Sequence, residues 1–163
     1  MIPGTVLNIS DPIPGNEKMN ENFIVRDYVN GDFTEILALW QSLGLGNACR
    51  GDNEDVIEDS IRIGGKMLVL EDKLRGIICG TSWMTFDRRR IHLHHFGIRS
   101  DYQGKGLARL LLKHSLVFVK EKGFQVKLEV HRTNFRGINL YKSVGFEYLG
   151  DYDVYIIRDI SVI

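Results

Sequence analysis

Gln103-Gly104-Lys105-Gly106-Leu107-Ala108 is the stretch on which the reading of this chain turns. Upstream, Ile91 to Ile98 reads as a strand. Downstream, Leu107, Leu110, Leu111, Leu116, Val117 and Phe118 recur with helical spacing, and Gly123 ends the run. A strand, a glycine turn and a helix start in that order favour an anion. Glycine lets a ligand approach the backbone closely. The unpaired N–H groups and the positive end of the helix dipole suit a phosphate. Lys105 adds a charge. An ordinary helix start after a turn remains the plain alternative for a lone G-x-G. A Walker A loop is excluded, because no Ser or Thr follows Gly-Lys at the required glycine spacing. A dinucleotide fingerprint wants a small residue where Arg109 stands, although Glu129 can imitate its ribose-binding acid. A Rossmann-like nucleotide-binding enzyme therefore stays open as a weaker reading.

Outward from this stretch the elements alternate. Phe23 to Arg26 reads as a strand. Ile36, Leu37, Leu39, Trp40 and Leu43 mark a helix after Asn30-Gly31-Asp32, and Gly44 to Asn53 reads as a loop. Val56, Ile57, Ser60, Ile61 and Gly64 share one face of a second helix, whose early acids suit the helix dipole. Met67 to Leu70 and Leu74 to Phe86 read as paired strands, with turns at Glu71-Asp72-Lys73 and Asp87 to Arg90. Phe124 to Val130 is a further strand. Thr133-Asn134 opens a helix to about Val144, and Phe146 to Ile160 holds room for two final strands turning near Gly150-Asp151. The expected class is α/β (α+β), with a mixed, mostly antiparallel sheet of about six or seven strands and about four helices.

Composition sets the outer limits. The chain has 163 residues, with 21 Lys+Arg against 21 Asp+Glu. That neutrality argues against a nucleic-acid binder and against a polybasic membrane anchor. No apolar run approaches the ~20 residues of a membrane span, and no signal peptide is visible. Cys49 and Cys79 are too few for a disulfide framework. All three prolines precede Met19, a second candidate start, so residues 1–22 read as an irregular arm and residues 23–163 as a single domain. The expected location is the cytoplasm.

The central stretch resembles motif A of the GCN5-related N-acetyltransferases, the GNAT superfamily. That motif reads Q/R-x-x-G-x-G/A, and Gln103, Gly106 and Ala108 meet its fixed positions. Leu128-Glu129-Val130, Asn134, Asn139-Leu140-Tyr141 and Gly145-Phe146 are similar to motif B. Gly137 departs from the usual Ala there, a change that loosens a helix by up to ~1 kcal/mol. The match is specific from Ile91 to Leu149, while the first half agrees only in the order of its elements.

The resemblance implies a GNAT domain over residues 23–163 with acetyl-CoA as cosubstrate. Gln103, Gly104, Lys105, Gly106, Leu107 and Ala108 would bind its pyrophosphate. The backbone of Phe96, Gly97 and Ile98 would pair with the pantetheine arm, whose amides mimic a peptide strand. Asn134 would hold that arm from the other side, Asn139 belongs to the same motif, and Tyr141 would be the general acid. The thioester would lie where the Ile91 and Phe124 strands splay apart. Cys79 reads as core and neither cysteine as a nucleophile.

Strand alternation places His92, His94, Phe96 and Ile98 on one face, and Leu93, His95 and Gly97 on the other. His92-Leu93-His94 is similar to the arylalkylamine N-acetyltransferase branch, where two such histidines serve the proton path. Neutral imidazole suits that task. The plain alternative is a pair of structural histidines. His-x-His can also chelate a metal, but no carboxylate or cysteine cluster stands near it in sequence, so no metal is expected. His114 and His131 have no supporting constellation.

The implied function is direct acetyl transfer to a primary amine, either a small molecule or a protein amino group. By resemblance the acceptor wall is the loop Gly44 to Asn53, the second helix and the turn near Gly150. Trp40, Trp83 and Phe86 are candidate aromatics for it, each with a competing core role. Glu54 to Asp59 and Arg88-Arg89-Arg90 read first as a solvated face and a charged turn. A catalytically silent CoA-binding sensor or partner module is the other reading, and a homodimer is plausible by resemblance. Neither nucleic acid nor a membrane is expected as a partner.

Overall fold

The computed structural model describes residues 21–46, 51–150 and 152–163. The arm up to residue 20, Cys49 and Asp151 lie outside these residues. The chain forms two compact units that divide between Glu129 and Val130.

The first unit is built on one sheet in the order β1-β2-β3-β4-β5. Its strands are β1 (Phe23–Asp27), β2 (Lys66–Asp72), β3 (Ile77–Phe86), β4 (Arg90–Ile98) and β5 (Gln125–Leu128). The first four pair antiparallel, and β5 joins β4 in parallel. Helices α1 (Phe33–Leu43) and α2 (Glu54–Arg62) connect β1 to β2, and α3 (Leu107–Lys122) connects β4 to β5.

Side-chain alternation divides the core between the two faces of the sheet. Thr81 and Trp83 point towards α1 and α2. Trp40 of α1 donates its Nε1–H to Thr81 Oγ1 at 2.8 Å, and Trp83 donates to Ser60 Oγ of α2 at 2.8 Å. The two indoles stack with centroids 5.9 Å apart, beside Ile36, Leu39, Ile57, Met67 and Val69. Such a pair adds ~0.5–1.5 kcal/mol beyond its buried area. Ser82 points the other way and meets Ser115 of α3, Oγ to Oγ 2.7 Å, in the layer that holds Leu107, Leu111 and Leu112.

The hairpin turns follow side-chain chemistry. Asp72 Oδ1 accepts the N–H groups of Leu74 and Arg75, and Asp87 Oδ1 accepts those of Arg89 and Arg90. Asn53 caps α2 by accepting from Val56 N–H at 3.0 Å. Asp32 stands at the N-cap of α1 but turns its carboxylate to Arg26 instead.

The second unit carries α4 (Phe135–Lys142) and a short 3-10 turn (Ile160–Val162). Here the sequence expectation is corrected. Among the described residues, Phe146 to Ile160 forms no strand, and the sheet has five strands rather than six or seven. The segment carries strand-forming residues, but Tyr148, Val154, Tyr155, Ile156 and Ile157 are all exposed. Strand preference depends on a neighbouring strand and a face to cover, and the segment has neither in the ladder.

Candidate active site

The site is assembled around an irregularity in β4. Trp83 pairs with His94 and Thr81 with Gly97, so the single residue Ser82 faces both His95 and Phe96. This is a β-bulge. His95 takes a left-handed backbone at φ 42°, which costs a non-glycine residue ~1–2 kcal/mol.

The bulge corrects the expected alternation. His92 and His94 do share a face, with ring centroids 3.8 Å apart. His95 joins that face instead of opposing it, its ring 4.3 Å from Trp40 and 5.3 Å from Trp83. Beyond the bulge the parity is inverted. A Cβ on Gly97 would lie 2.8 Å from Leu43 and Leu45, on the α1 side, whereas Ile98 is 5% exposed and packs over Gly80. Ile98 therefore does not present its side chain beside the histidine pair. An extra residue shifts every later side chain to the opposite face, and composition alone does not reveal it.

The bulge also stands where β4 and β5 part. Their parallel pairing runs from Arg90–Gln125 to Leu93–Leu128 and stops, while β4 continues to Ile98. The β4–β5 pairing thus ends at Leu93, just before the bulge.

The histidine pair is neutral at ordinary pH. Burial lowers His92 to about 4, helped by Lys127. Burial lowers His94 to about 4 as well, with His92 and His95 adding to the effect. His94 Nε2 lies 2.9 Å from Thr85 Oγ1, which fixes the ring. Among the described residues no three His, Cys, Asp or Glu side chains are grouped to hold a metal.

His95 is held from three directions. Its carbonyl accepts from Thr81 Oγ1 at 2.8 Å, Trp40 covers its ring, and its Nε2 is 3.1 Å from Asp52 Oδ1. The last contact has ion-pair distance without an aligned hydrogen bond, and both ring nitrogens are sealed from solvent. Strand alternation alone puts His95 on the face opposite His94, and the sequence places Asp52 only within the Gly44 to Asn53 loop, so neither residue is singled out there.

The glycine turn has the expected form. Ser100–Tyr102 makes a 3-10 turn, and Gly104 and Gly106 adopt φ 78° and 77°. Among the described residues, nothing lies within 4 Å of where a Cβ on either would stand. Gly106 is the N-cap of α3, and no side chain caps that helix start. The N–H groups at Leu107 and Ala108 thus begin the helix without side-chain competition. Gln103 Nε2 donates to Ile98 O at 2.8 Å, tying the turn to the end of β4. Tyr102 is buried below the turn and donates to Asp72 Oδ2 at 2.9 Å. Lys105 is drawn back, its Nζ donating to Asp101 O at 3.1 Å and lying 5.0 Å from the Tyr102 ring.

In the second unit, Asn134 caps α4, its Oδ1 accepting from Gly137 N–H at 2.9 Å. A Cβ at position 137 would come within 2.8 Å of Asn134 Nδ2. The glycine therefore lets Asn134 close over the helix start, a local reason for the departure from Ala. Asn139 and Tyr141 lie on α4. Burial pushes the Tyr141 phenol up to about 12, and its ring meets Phe146 edge-on at 5.7 Å. Cys79 is fully buried in β3, and burial pushes its thiol up to about 12, which removes it as a nucleophile.

Comparison with known proteins agrees with this architecture. The family model described as "Acetyltransferase (GNAT) family" matches residues 34–146. The N-alpha-acetyltransferase RimI of Mycobacterium tuberculosis is 41% identical over 58 residues, which are 36% of this chain and 35% of that protein. The chain spans less than half the length of the curated relatives it matches. In fold it is similar to a GNAT-family acetyltransferase from Staphylococcus aureus Mu50, with TM-score 0.70, 16% identity, and 80% and 88% of the two chains covered. It is also similar to yncA, a putative acetyltransferase from Salmonella typhimurium solved with its cofactor acetyl-CoA, with TM-score 0.64, 21% identity, and 77% and 80% covered. The family match takes in more than half of the sequence, from α1 through α4, and the chain belongs to the GNAT acetyltransferase family.

Proposed function

We propose that this chain transfers the acetyl group of acetyl-CoA to a primary amine by direct attack on the thioester. The observation that carries this reading is the junction at the end of β4: the strand leaves β5 at the bulge, and Gln103 ties its last carbonyl to the open glycine turn. A pantetheine arm then has a strand edge to follow, and its pyrophosphate has a helix start to rest on. The family match runs across the division at Glu129, which supports residues 23–163 acting as one acetyltransferase domain.

In this reading Gln103 to Ala108 hold the pyrophosphate, and the backbone of Phe96, Gly97 and Ile98 lies along the arm. A backbone N–H at that end of β4 faces the oxyanion. Asn134 steadies the arm through its amide Nδ2, and Asn139 supports the same helix. The acceptor amine attacks the thioester carbonyl, the tetrahedral intermediate collapses, and the C–S bond breaks. Tyr141, assigned from its motif, gives its proton to the departing thiolate. A phenol raised by burial remains protonated at neutral pH, as this role needs.

The pKa of the histidine pair refines its part. An alkylammonium near ~10.4 cannot leave its proton resting on an imidazole near 4. His92 and His94 therefore pass the proton onward to water rather than store it. A relative named for N-alpha acetylation supports a protein amino group as acceptor beside small amines. The reaction as written needs no metal, nucleic acid or membrane. A homodimer is proposed from the family alone.

Calorimetric titration of the chain with acetyl-CoA, CoA and NAD, followed by an amine panel, tests the reading. Selective CoA binding with turnover supports it. CoA binding without turnover favours a silent CoA-binding module, and NAD binding returns the chain to a nucleotide enzyme.

A further inference from the structure

We propose that His95 and Asp52 form a positioning pair for acetyl transfer: Asp52 holds the His95 ring, and His95 holds the β4 bulge that sets His94 and the Gly97–Ile98 backbone. This rests on the acetyltransferase reading and deepens it.

Four observations converge on the pair. His95 is one of two non-glycine residues with positive φ among the described residues, and the other, Arg88, sits in a hairpin turn. Such a backbone persists only where its surroundings over-determine it. The surroundings are Thr81 on the His95 carbonyl, Trp40 on its ring and Asp52 at its Nε2. Both ring nitrogens are sealed from water, and buried polar atoms are nearly always satisfied. Asp52 Oδ1 lies 3.1 Å from Nε2 without an aligned hydrogen bond, so a small turn of ring or carboxylate completes one, and the Asp52 carboxylate is itself buried. Finally, the bulge stands where β4 leaves β5, between the proposed proton path at His94 and the proposed thioester edge.

Asp52 immediately precedes Asn53, the N-cap of α2, in the loop that the family resemblance assigns to the acceptor wall. The larger consequence falls on turnover, because the glycine turn is also anchored away from β4, through Tyr102 to Asp72, while Gln103 ties it to Ile98 O.

The test uses the full chain with Asp52→Ala, His95→Asn and the double variant. Asn tolerates positive φ, so His95→Asn removes the ring without forcing the backbone. Hydrogen exchange over residues 94–98 should quicken by roughly tenfold in each variant, while exchange over β2 stays at the wild-type rate. With an amine that the wild type acetylates, kcat should fall on the order of 10–100-fold, KM for acetyl-CoA should stay within about twofold, and the double variant should be no worse than either single. Unchanged exchange, or losses that multiply in the double variant, overturns the pair. A wild type that turns over no amine sinks the acetyltransferase reading instead, and the exchange experiment still decides the pair. If Asp52→Ala does not fold, Asp52→Asn, which keeps the shape and removes the charge, takes its place.

Discussion

His92 and His94 stand two residues apart on β4 with their ring centroids 3.8 Å apart, and burial keeps both near 4 rather than at the usual 6.5. Beyond burial, Lys127 lowers His92 further, and His92 and His95 lower His94 further. Stability follows with a definite sign. Between pH 6.5 and about 4 the unfolded chain binds protons on these residues that the folded chain does not. Stability is therefore present above 6.5 and falls as pH drops towards 4. Melting of the wild type and of His92→Gln plus His94→Gln across this window should show the shallower fall in the variant. An acid limb of kcat/KM that shifts in the double variant places the pair on the proton path, and a limb left unchanged there removes it.

Gly106 holds φ 77° at the first turn of α3 with open space around its missing Cβ. Gly106→Ala meets no clash in the free protein, so its structural cost is the backbone alone, ~1–2 kcal/mol. A few degrees of melting temperature should be lost. In the proposed site the new methyl stands where the pyrophosphate would approach, so the Kd for acetyl-CoA should rise on the order of tenfold. Calorimetry distinguishes this from a mere stability loss, and an unchanged Kd removes the turn as the phosphate site.

Tyr141→Phe keeps the ring that meets Phe146 and removes only the hydroxyl. As the proposed acid, it should cost roughly 10²-fold in kcat with acetyl-CoA affinity kept. Steady-state kinetics beside a direct binding measurement checks this. An equal loss in both quantities assigns the residue to binding instead.

Cys79 donates weakly to Leu70 O at 3.4 Å inside the sheet, and its thiol is raised to about 12. Native protein should leave Cys79 unmodified by an alkylating reagent at neutral pH, and Cys79→Ala should retain kcat. Loss of turnover in a folded Cys79→Ala variant reopens a covalent route.

Much of the candidate site's local geometry is legible in the residues because local rules govern it. The glycine turn needs positive φ at fixed offsets, the helix after it needs an apolar stripe, and both can be read within a short window. That His92 and His94 share a face is legible for the same reason, since residues two apart on a strand share a face until the strand is interrupted. The last strands were misread because Tyr148 to Ile160 carries strand-forming residues, and local preference does not supply a neighbouring strand.

The sequence by itself determined the order of elements as far as α4, the glycine turn and the family motifs, all of them set by contacts between residues close in the chain. Only the tertiary structure decided which histidines share the site. His95 changes face at the bulge, where Thr81 bonds its carbonyl, Trp40 lies on its ring and Asp52 stands 3.1 Å from Nε2, three contacts from three separate segments. That bulge stands where those segments meet, and it inverts the parity of every β4 residue after it.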